Sequence, residues 1–160
     1  MFTLYLVVPC YNEEEVLPET AKRLVEKMNS LIKANKIKSS SRIVFVNDGS
    51  KDNTWSIISS LHEENKIFQG INLSKNKGHQ NALLAGLMTV KEYCDAAISL
   101  DADLQDDINA IDMMVEKFVE GNEIVYGVRN NRKKDTFFKK FTAEKFYKLL
   151  NFMGAEIVYN

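Results

Sequence analysis

Short apolar runs alternate along the chain with longer segments in which apolar residues recur every three or four positions. The short runs predict β-strands over residues 3–8, 42–47, 67–73, 96–100 and 123–127. The longer segments predict helices over about 14–34, 54–64, 80–92 and 108–120. Because strands that alternate with helices are typical of β-α-β units, the sequence predicts an α/β fold with a mainly parallel central sheet.

The composition adds the expectation of one compact domain. The 160 residues are 45% hydrophobic and 27% charged, with few glycines and prolines, which excludes a disordered or fibrous segment. Cys10 and Cys94 have no CxxC spacing, so neither a disulfide framework nor a zinc site is predicted. The apolar run over 4–9 is too short for a signal-peptide core, and no run approaches the roughly 20 apolar residues of a transmembrane helix.

The net charge of −1 conceals an uneven distribution. Residues 1–100 contain 12 basic and 11 acidic residues, residues 101–123 contain one and eight, and residues 124–160 contain eight and three. The acidic segment is expected to gather cations, and the basic segment is expected to meet an anionic partner. Nucleic acid is disfavoured as that partner, because the acidic segment would repel a phosphate backbone.

The strongest candidate for chemistry is the acidic sequence SLDADLQDD, which follows the fourth predicted strand. Asp101 and Asp103 are two residues apart, so their side chains project to the same side of an extended segment. Together with the amide oxygen of Gln105 they offer the oxygen ligands that suit Mg²⁺ or Mn²⁺ completed by substrate phosphates. The alternative is a solvated acidic start to the next helix, which is the interpretation adopted for Asp106 and Asp107.

The residues after the first strand are the next candidates, because open parallel sheets bind ligands beyond the carboxyl ends of their strands. Pro9 is predicted to stop that strand, since it cannot donate to the ladder. Tyr11 and Asn12 offer a ring and an amide that suit a flat base. For Glu13, Glu14 and Glu15 the alternative is a charged first turn of the following helix.

Two further loops carry candidate residues. Asp48 is expected either to accept a hydrogen bond from a base or to shape the turn and cap the next helix. Gly78 precedes an apolar helix, where backbone N–H groups can approach phosphate. His79 beside it is interpreted as a local hydrogen-bonding residue. Neither GxGxxG nor GxxxxGK[ST] is present, which disfavours a dinucleotide-cofactor site and a P-loop.

Taken in order, the segments VVPCYNEEE, VNDGSKDNT, NKGHQNALLAGL, DADLQDD and VYGVR resemble the nucleotide-sugar-binding half of family 2 glycosyltransferases. That family has the GT-A fold, a Rossmann-like three-layer α/β/α arrangement. The resemblance is closer to the branch that transfers a sugar to polyprenyl phosphate, which includes dolichyl-phosphate mannosyltransferases and bacterial undecaprenyl-phosphate glucosyltransferases. It covers residues 4–153, and departs from the family where Asp107 replaces the usual proline.

The resemblance implies a role for each matching residue. Nucleotide-sugar binding is implied for Pro9, Tyr11, Asn12, Glu13, Asp48, Gly78 and Asp101. Asp103 and Gln105 would hold Mg²⁺ or Mn²⁺, while Asp101, Asp103 and Arg129 would be the catalytic residues. Arg129 and Arg132 would bind the acceptor phosphate. The implied protein is a metal-dependent inverting glycosyltransferase that moves a sugar from a nucleotide sugar, with UDP-sugar favoured, to polyprenyl phosphate.

The same resemblance divides the chain into three parts. Residues 1–135 would form the donor-binding catalytic domain, residues 136–153 an amphipathic helix, and residues 154–160 the start of a truncated acceptor-side segment. Aromatic and aliphatic residues interrupted by lysines are typical of helices that lie on an anionic membrane surface, and the alternative is a core-packing helix with solvated lysines. A peripheral location at the cytoplasmic face of the cell membrane is therefore expected.

Two other functions stay open at this point. A sugar-hydroxyl acceptor in cell-surface polysaccharide synthesis would require a carboxylate base, whereas a phosphate monoester is already mostly anionic at neutral pH. A receiver-like regulatory module, with Asp48 as phosphoacceptor, would explain one aspartate. It would leave the acidic cluster and the basic helix without a role.

Overall fold

The computed structural model describes residues 1–103, 105 and 107–127. Its elements are β1 (Leu4–Cys10), α1 (Leu17–Lys33), β2 (Arg42–Asn47), α2 (Thr54–Glu64), β3 (Phe68–Asn72), α3 (His79–Val90), β4 (Ala96–Ser99) and α4 (Ala110–Val119). Four of the five predicted strands and the first four predicted helices are therefore confirmed. The helix predicted over 136–153 lies outside the described residues.

The four strands form one parallel sheet in the order β3-β2-β1-β4. Alternate residues of β1 point to opposite faces: Leu6 and Val8 pack with α1, α2 and α4, whereas Val7 packs with α3. Helices therefore cover both faces, which explains why β1 and β2 are largely buried and mostly apolar. The predicted α/β/α arrangement is confirmed, and residues Met1–Val125 form one compact unit.

Helix α1 begins three residues later than predicted. Pro18 lies in its first turn, where a missing N–H breaks no intrahelical hydrogen bond. Glu14 and Glu15 precede the helix, so their interpretation as its first turn is wrong. One consequence is that the whole segment from Tyr11 to Val16 is loop at the carboxyl end of β1.

The prediction that Pro9 stops β1 is also wrong, because the strand continues to Cys10. The Val7 carbonyl accepts a hydrogen bond from the Leu100 N–H on the β4 side, and Pro9, two residues further on, faces the same side. Pairing between β1 and β4 ends at Ser99, opposite Val7. The N–H that Pro9 lacks would therefore have no partner in β4.

Residues 123–127 form no strand, contrary to the prediction. Ile124 is 72% exposed and Tyr126 is 81% exposed. A strand needs a neighbour for its backbone donors and acceptors, and no strand of the described sheet pairs with this segment. In the part of the chain that the structure describes, no helix combines the length and apolar character needed to cross a membrane.

Candidate active site

The loops after β1 and β2 are joined by hydrogen bonds at the carboxyl edge of the sheet. The Asn12 N–H donates to Ser50 Oγ (3.0 Å), and the Lys51 N–H donates to Asn12 Oδ1 (2.9 Å). The Glu13 N–H donates to Thr54 Oγ1 (2.8 Å). Asn12 adopts a left-handed backbone conformation with φ of 56°, which asparagine tolerates better than most residues. The amide oxygen of Asn12 therefore holds the neighbouring loop.

Two acidic side chains extend this connection. Glu14 Oε2 accepts hydrogen bonds from the Asn53 backbone N–H (2.9 Å) and side-chain amide (2.7 Å). Asp52 accepts from the backbone N–H groups of Glu14 (3.1 Å) and Thr54 (3.0 Å). Burial acts to raise the pKa of Asp52, but hydrogen bonding from the Thr54 side chain and from the backbone N–H groups of Thr54 and Glu14 outweighs it and holds the pKa below its ordinary value. The two loops thus form one hydrogen-bonded unit, and Tyr11 is exposed beside it.

Asp48 connects the end of β2 to the loop before α3. Its side chain is buried, and its two carboxylate oxygens accept hydrogen bonds from the backbone N–H groups of Lys77 (2.7 Å) and Gly78 (2.9 Å). The N-cap of α2 is Asn53, so the alternative in which Asp48 caps that helix is wrong. Sequence reasoning placed Asp48 correctly at the sheet edge but missed its partners.

His79 and Asp101 approach each other across the carboxyl ends of β1 and β4. His79 is the first residue of α3, and its Nε2 lies 3.6 Å from Asp101 Oδ1. Both side chains are about half exposed. They line a cavity of about 160 Å³ whose wall consists of Pro9, His79, Leu83, Ser99, Leu100 and Asp101. The interpretation of His79 as a local hydrogen-bonding residue missed its contact with Asp101. The sequence already placed His79 and the acidic cluster at the same edge of the sheet, and this shared position could have indicated the contact.

The acidic loop after β4 is anchored between its two aspartates. Ala102 is buried, and its carbonyl accepts a hydrogen bond from Thr20 Oγ1 of α1 (2.6 Å). Asp101 and Asp103 flank this anchor and are exposed. Among the described residues no three or more His, Cys, Asp or Glu side chains form a cluster able to hold a metal ion. Two exposed carboxylates nevertheless fit an ion whose other ligands are water and substrate phosphates.

Gln105 is not brought together with Asp101. It lines a separate open cleft of about 550 Å³ beside α1, together with Arg23, Glu26, Lys27, Ser30, Asp107, Ile108 and Asn109. The reason is local, because Asp103 Oδ1 accepts a hydrogen bond from the Gln105 N–H (3.0 Å) and the chain turns at that point. Gln105, whose amide oxygen was predicted as a further ligand beside the two aspartates, therefore lines a different cleft from Asp101.

Glu13, in the loop after β1, lies within electrostatic reach of the acidic loop. Burial raises the pKa of Glu13 above its ordinary value, and the negative charges of Asp103 and Asp52 raise it further. Burial and the charge of the Glu13 carboxylate raise the pKa of the Cys10 thiol. This thiol donates a hydrogen bond to the Val8 carbonyl. Cys10 is therefore an inert core residue. Arg129 and Arg132 lie outside the described residues.

The fold is that of a GT-A glycosyltransferase domain. A mannosyltransferase from Pyrobaculum calidifontis, solved in complex with GDP-Man and Mn²⁺, aligns with 64% of the chain and 28% of its own length at a TM-score of 0.51 and 21% identity. TarS from S. aureus aligns with 84% of the chain and 24% of its own length at a TM-score of 0.51 and 19% identity. These similarities concern the fold alone.

The family model of glycosyl transferase family 2 matches residues 5–159, and the chain belongs to this family. The uncharacterized glycosyltransferase YkoT of Bacillus subtilis is 52% identical over 157 residues, which are 98% of the chain and 47% of YkoT. The bactoprenol glucosyl transferase of Shigella phage SfV is 40% identical over 146 residues, which are 91% of the chain and 45% of that protein. The chain thus spans about half the length of these relatives.

The family match confirms the predicted enzyme class and the resemblance to the polyprenyl-phosphate branch. The receiver-like alternative is wrong, since the chain belongs to glycosyl transferase family 2. The buried, doubly hydrogen-bonded carboxylate of Asp48 is also unlike an accessible phosphoacceptor.

Proposed function

We propose that the chain is the donor-binding domain of a metal-dependent inverting glycosyltransferase that moves a sugar from a UDP-sugar to polyprenyl phosphate at the cytoplasmic face of the membrane. The observation that carries this proposal is the small cavity at the carboxyl edge of the sheet, where Pro9, His79 and Asp101 meet beside the exposed Asp103. The 40% identity to a bactoprenol glucosyl transferase supports the acceptor class.

The donor nucleoside is assigned to the loops that the hydrogen bonds join. Tyr11 is exposed beside Asn12 and Glu13 and offers its ring to a base, while Pro9 lines the same cavity as Asp101. Gly78 has a φ of 87° and open space where a side chain would be, so a ligand can approach its backbone closely. Asp48 belongs to this half of the site through its contact with the loop that contains Gly78.

The donor diphosphate is assigned to the acidic loop. Asp101 and Asp103 would hold Mg²⁺ or Mn²⁺ together with the diphosphate, and Gln105 remains a ligand proposed from the family resemblance. A bound divalent ion would neutralise the charge that develops on the leaving nucleoside diphosphate. Asp101 lines the cavity, and the exposed Asp103 follows it after the buried Ala102.

The acceptor requires less chemistry from the protein. A phosphate monoester is mostly anionic at neutral pH, so the attacking oxygen needs no general base. The remaining task is to hold donor and acceptor in line, and Arg129 and Arg132 are proposed to position the acceptor phosphate.

Two aspartates form a matched pair that tests the metal site. Asp103 and Asp107 each accept a backbone N–H from the residue two positions further on, Gln105 (3.0 Å) and Asn109 (2.9 Å). Asparagine keeps this acceptor and removes the charge. We expect Asp103→Asn to weaken Mn²⁺-dependent UDP binding by about tenfold or more, because the ion loses an anionic ligand, and Asp107→Asn to change it by less than about twofold.

Isothermal titration of UDP with and without Mn²⁺ measures both effects in this chain. Undiminished manganese dependence in Asp103→Asn would show that the metal assignment is wrong. The acceptor is tested separately with the full-length protein, as transfer of labelled sugar from a UDP-sugar to undecaprenyl phosphate. Transfer only to a sugar hydroxyl would overturn the proposed acceptor and leave the donor site intact.

A further inference from the structure

Thr20 is the polar member of the otherwise apolar buried face of α1. The buried residues of this helix are Leu17, Thr20, Ala21, Leu24, Met28 and Leu31. A buried hydroxyl needs a hydrogen-bond partner, and a helical threonine can find one in the carbonyl four residues earlier. Thr20 Oγ1 lies 3.1 Å from that carbonyl, which belongs to Val16, but only 2.6 Å from the Ala102 carbonyl in the loop after β4.

The Thr20 hydroxyl has one proton, so it can donate to only one of these two carbonyls. The Ala102 carbonyl is the closer acceptor, and the Val16 carbonyl already accepts the Thr20 backbone N–H (3.0 Å). Within the described part of the chain no other donor bonds to the Ala102 carbonyl. Ala102 is 3% exposed, and a buried carbonyl without a donor is costly. The hydroxyl of Thr20 therefore fixes the position of Ala102.

The fixed residue lies between the two aspartates that are assigned to the donor diphosphate. Just before them, the Leu100 N–H donates to the Val7 carbonyl of β1 (3.1 Å). Asp101 therefore lies between two residues whose backbones are hydrogen-bonded to other elements. Asp103 directly follows the second of these residues, Ala102. The positions of both carboxylates thus depend on the hydrogen bond that α1 donates.

Electrostatic repulsion opposes this arrangement in the free chain. Asp103 lies near enough to Glu13 for its charge, together with burial, to raise the pKa of Glu13. Like charges favour separation, and Asp103 is exposed, so the repulsion favours movement of the acidic loop away from Glu13. The hydrogen bond from Thr20 is buried and joins two neutral groups, so salt does not screen it. It therefore opposes the repulsion between the carboxylates.

We infer that Thr20 is a positioning residue for the metal and diphosphate site, which holds the Ala102 carbonyl so that Asp101 and Asp103 are in place before a divalent ion binds. This inference rests on the proposed function and adds a residue of α1 to the site. Thr20 acts through the backbone of Ala102, because its own side chain is completely buried. Removing a partner that orients a metal ligand commonly lowers metal affinity by about 10–100-fold.

Thr20→Val removes the hydroxyl and keeps the β-branched shape of the side chain. We expect the factor by which Mn²⁺ raises UDP affinity to fall by about tenfold or more, because the Ala102 carbonyl loses its donor. UDP affinity in EDTA should stay within about twofold, since the hydrogen bonds that join the loops after β1 and β2 do not involve Thr20. Thr20→Ser keeps the hydroxyl and should retain the effect of Mn²⁺ within about threefold. Isothermal titration of UDP with Mn²⁺ and with EDTA measures these factors.

Ser41→Ala is the matched control for the loss of a buried hydroxyl. Ser41 is completely buried, and its Oγ accepts the Leu4 backbone N–H (3.0 Å) at the amino ends of β1 and β2. Its replacement should lower the melting temperature and change the effect of Mn²⁺ by less than about twofold, because it lies at the opposite edge of the sheet. The control thus separates a loss of stability from a loss of ligand position.

The metal-free, unmodified chain gives a further test that holds even if Thr20→Val does not fold. The Thr20 hydroxyl proton should exchange slowly enough to give a resolved NMR signal, because it is buried and hydrogen-bonded. Rapid exchange of this proton, undiminished manganese dependence in Thr20→Val, or an equal loss in Thr20→Ser would each overturn the inference. If the unmodified chain shows no manganese-dependent UDP binding, the proposed function fails and the role of Thr20 falls with it. Manganese-dependent binding that persists in Thr20→Val would defeat only the role of Thr20.

Discussion

At the scale of single residues, the candidate site places acidic side chains where the proposed substrate, a nucleotide sugar, also carries negative charge. Glu13 lies close enough to Asp103 and Asp52 for their charges, after burial, to raise its pKa. Such an arrangement is unfavourable in the free protein and becomes favourable once a cation is bound. The acidic cluster therefore lowers the stability of the free folded chain, and the proposed binding of a metal ion explains why these residues are present.

The pKa of Glu13 gives a prediction for stability against pH. The Glu13 carboxyl keeps its proton to a higher pH in the folded chain than in the unfolded chain. The free energy of unfolding therefore falls as pH rises above 4.5, the ordinary pKa of glutamate. Glu13→Gln should therefore melt at a higher temperature than the unmodified chain at pH 7, and the difference should vanish near pH 4. Thermal melts in EDTA measure this, with the exposed Glu15→Gln as control. A variant that is less stable at pH 7 would contradict the prediction.

At the scale of elements, the carboxyl edge depends on loops that approach each other closely. Gly49 has a φ of 64° and its missing Cβ faces the backbone of the loop before α3. Gly86 plays a similar part within α3, where a Cβ would lie 2.6 Å from Val7 Cγ1 and 2.8 Å from Val46 Cγ2. These two glycines let the loops and α3 approach closely enough to form the cavity wall.

Gly49→Ala is expected to lower the free energy of unfolding by roughly 2–4 kcal/mol, because it combines an unfavourable φ with backbone overlap. Gly121 is the control, since its φ is 97° but no atom of the described residues lies within 4 Å of its missing Cβ. Gly121→Ala should cost only about 1–2 kcal/mol. Urea unfolding of the two variants measures the difference, and equal losses would show that the close approach of the loops contributes nothing.

At the scale of the whole molecule, the charge of the chain separates along its length. Acidic residues predominate over 101–123, and basic residues predominate over 124–160. The first group lies in and after the loop assigned to the donor diphosphate. The second contains the segment predicted as an amphipathic, membrane-surface helix, and that interpretation remains a prediction from the sequence.

Vesicle flotation tests the predicted membrane surface. The chain should float with vesicles that contain anionic lipid, and removal of residues 137–153 should reduce the bound fraction several-fold, because each basic residue near the surface contributes about 1 kcal/mol. Neutral vesicles and high salt serve as controls and should both weaken binding. Unchanged flotation after the removal would exclude this segment as the contact. No attachment of the unmodified chain to anionic vesicles would favour a sugar-hydroxyl acceptor.

The sequence by itself determined the α/β class, the four described strands and helices, and the residues that follow each strand. These depend on the local period of apolar residues, which is fixed by the geometry of helices and strands. For the same reason the predictions for Asp48, Asp101 and Asp103 placed these residues at the correct edge. The predicted strand over 123–127 failed because a strand needs a partner, and a local pattern does not contain one.

Only the tertiary structure decided which of these residues meet. The sheet order β3-β2-β1-β4 brings Asp48 to Gly78, 30 residues away, and sets His79 against Asp101. The turn at Asp103 directs Gln105 into a different cleft, and the end of pairing at Ser99 lets Pro9 remain within β1. Such contacts join segments that are distant in sequence, so they follow from strand order and loop packing, which periodicity does not encode.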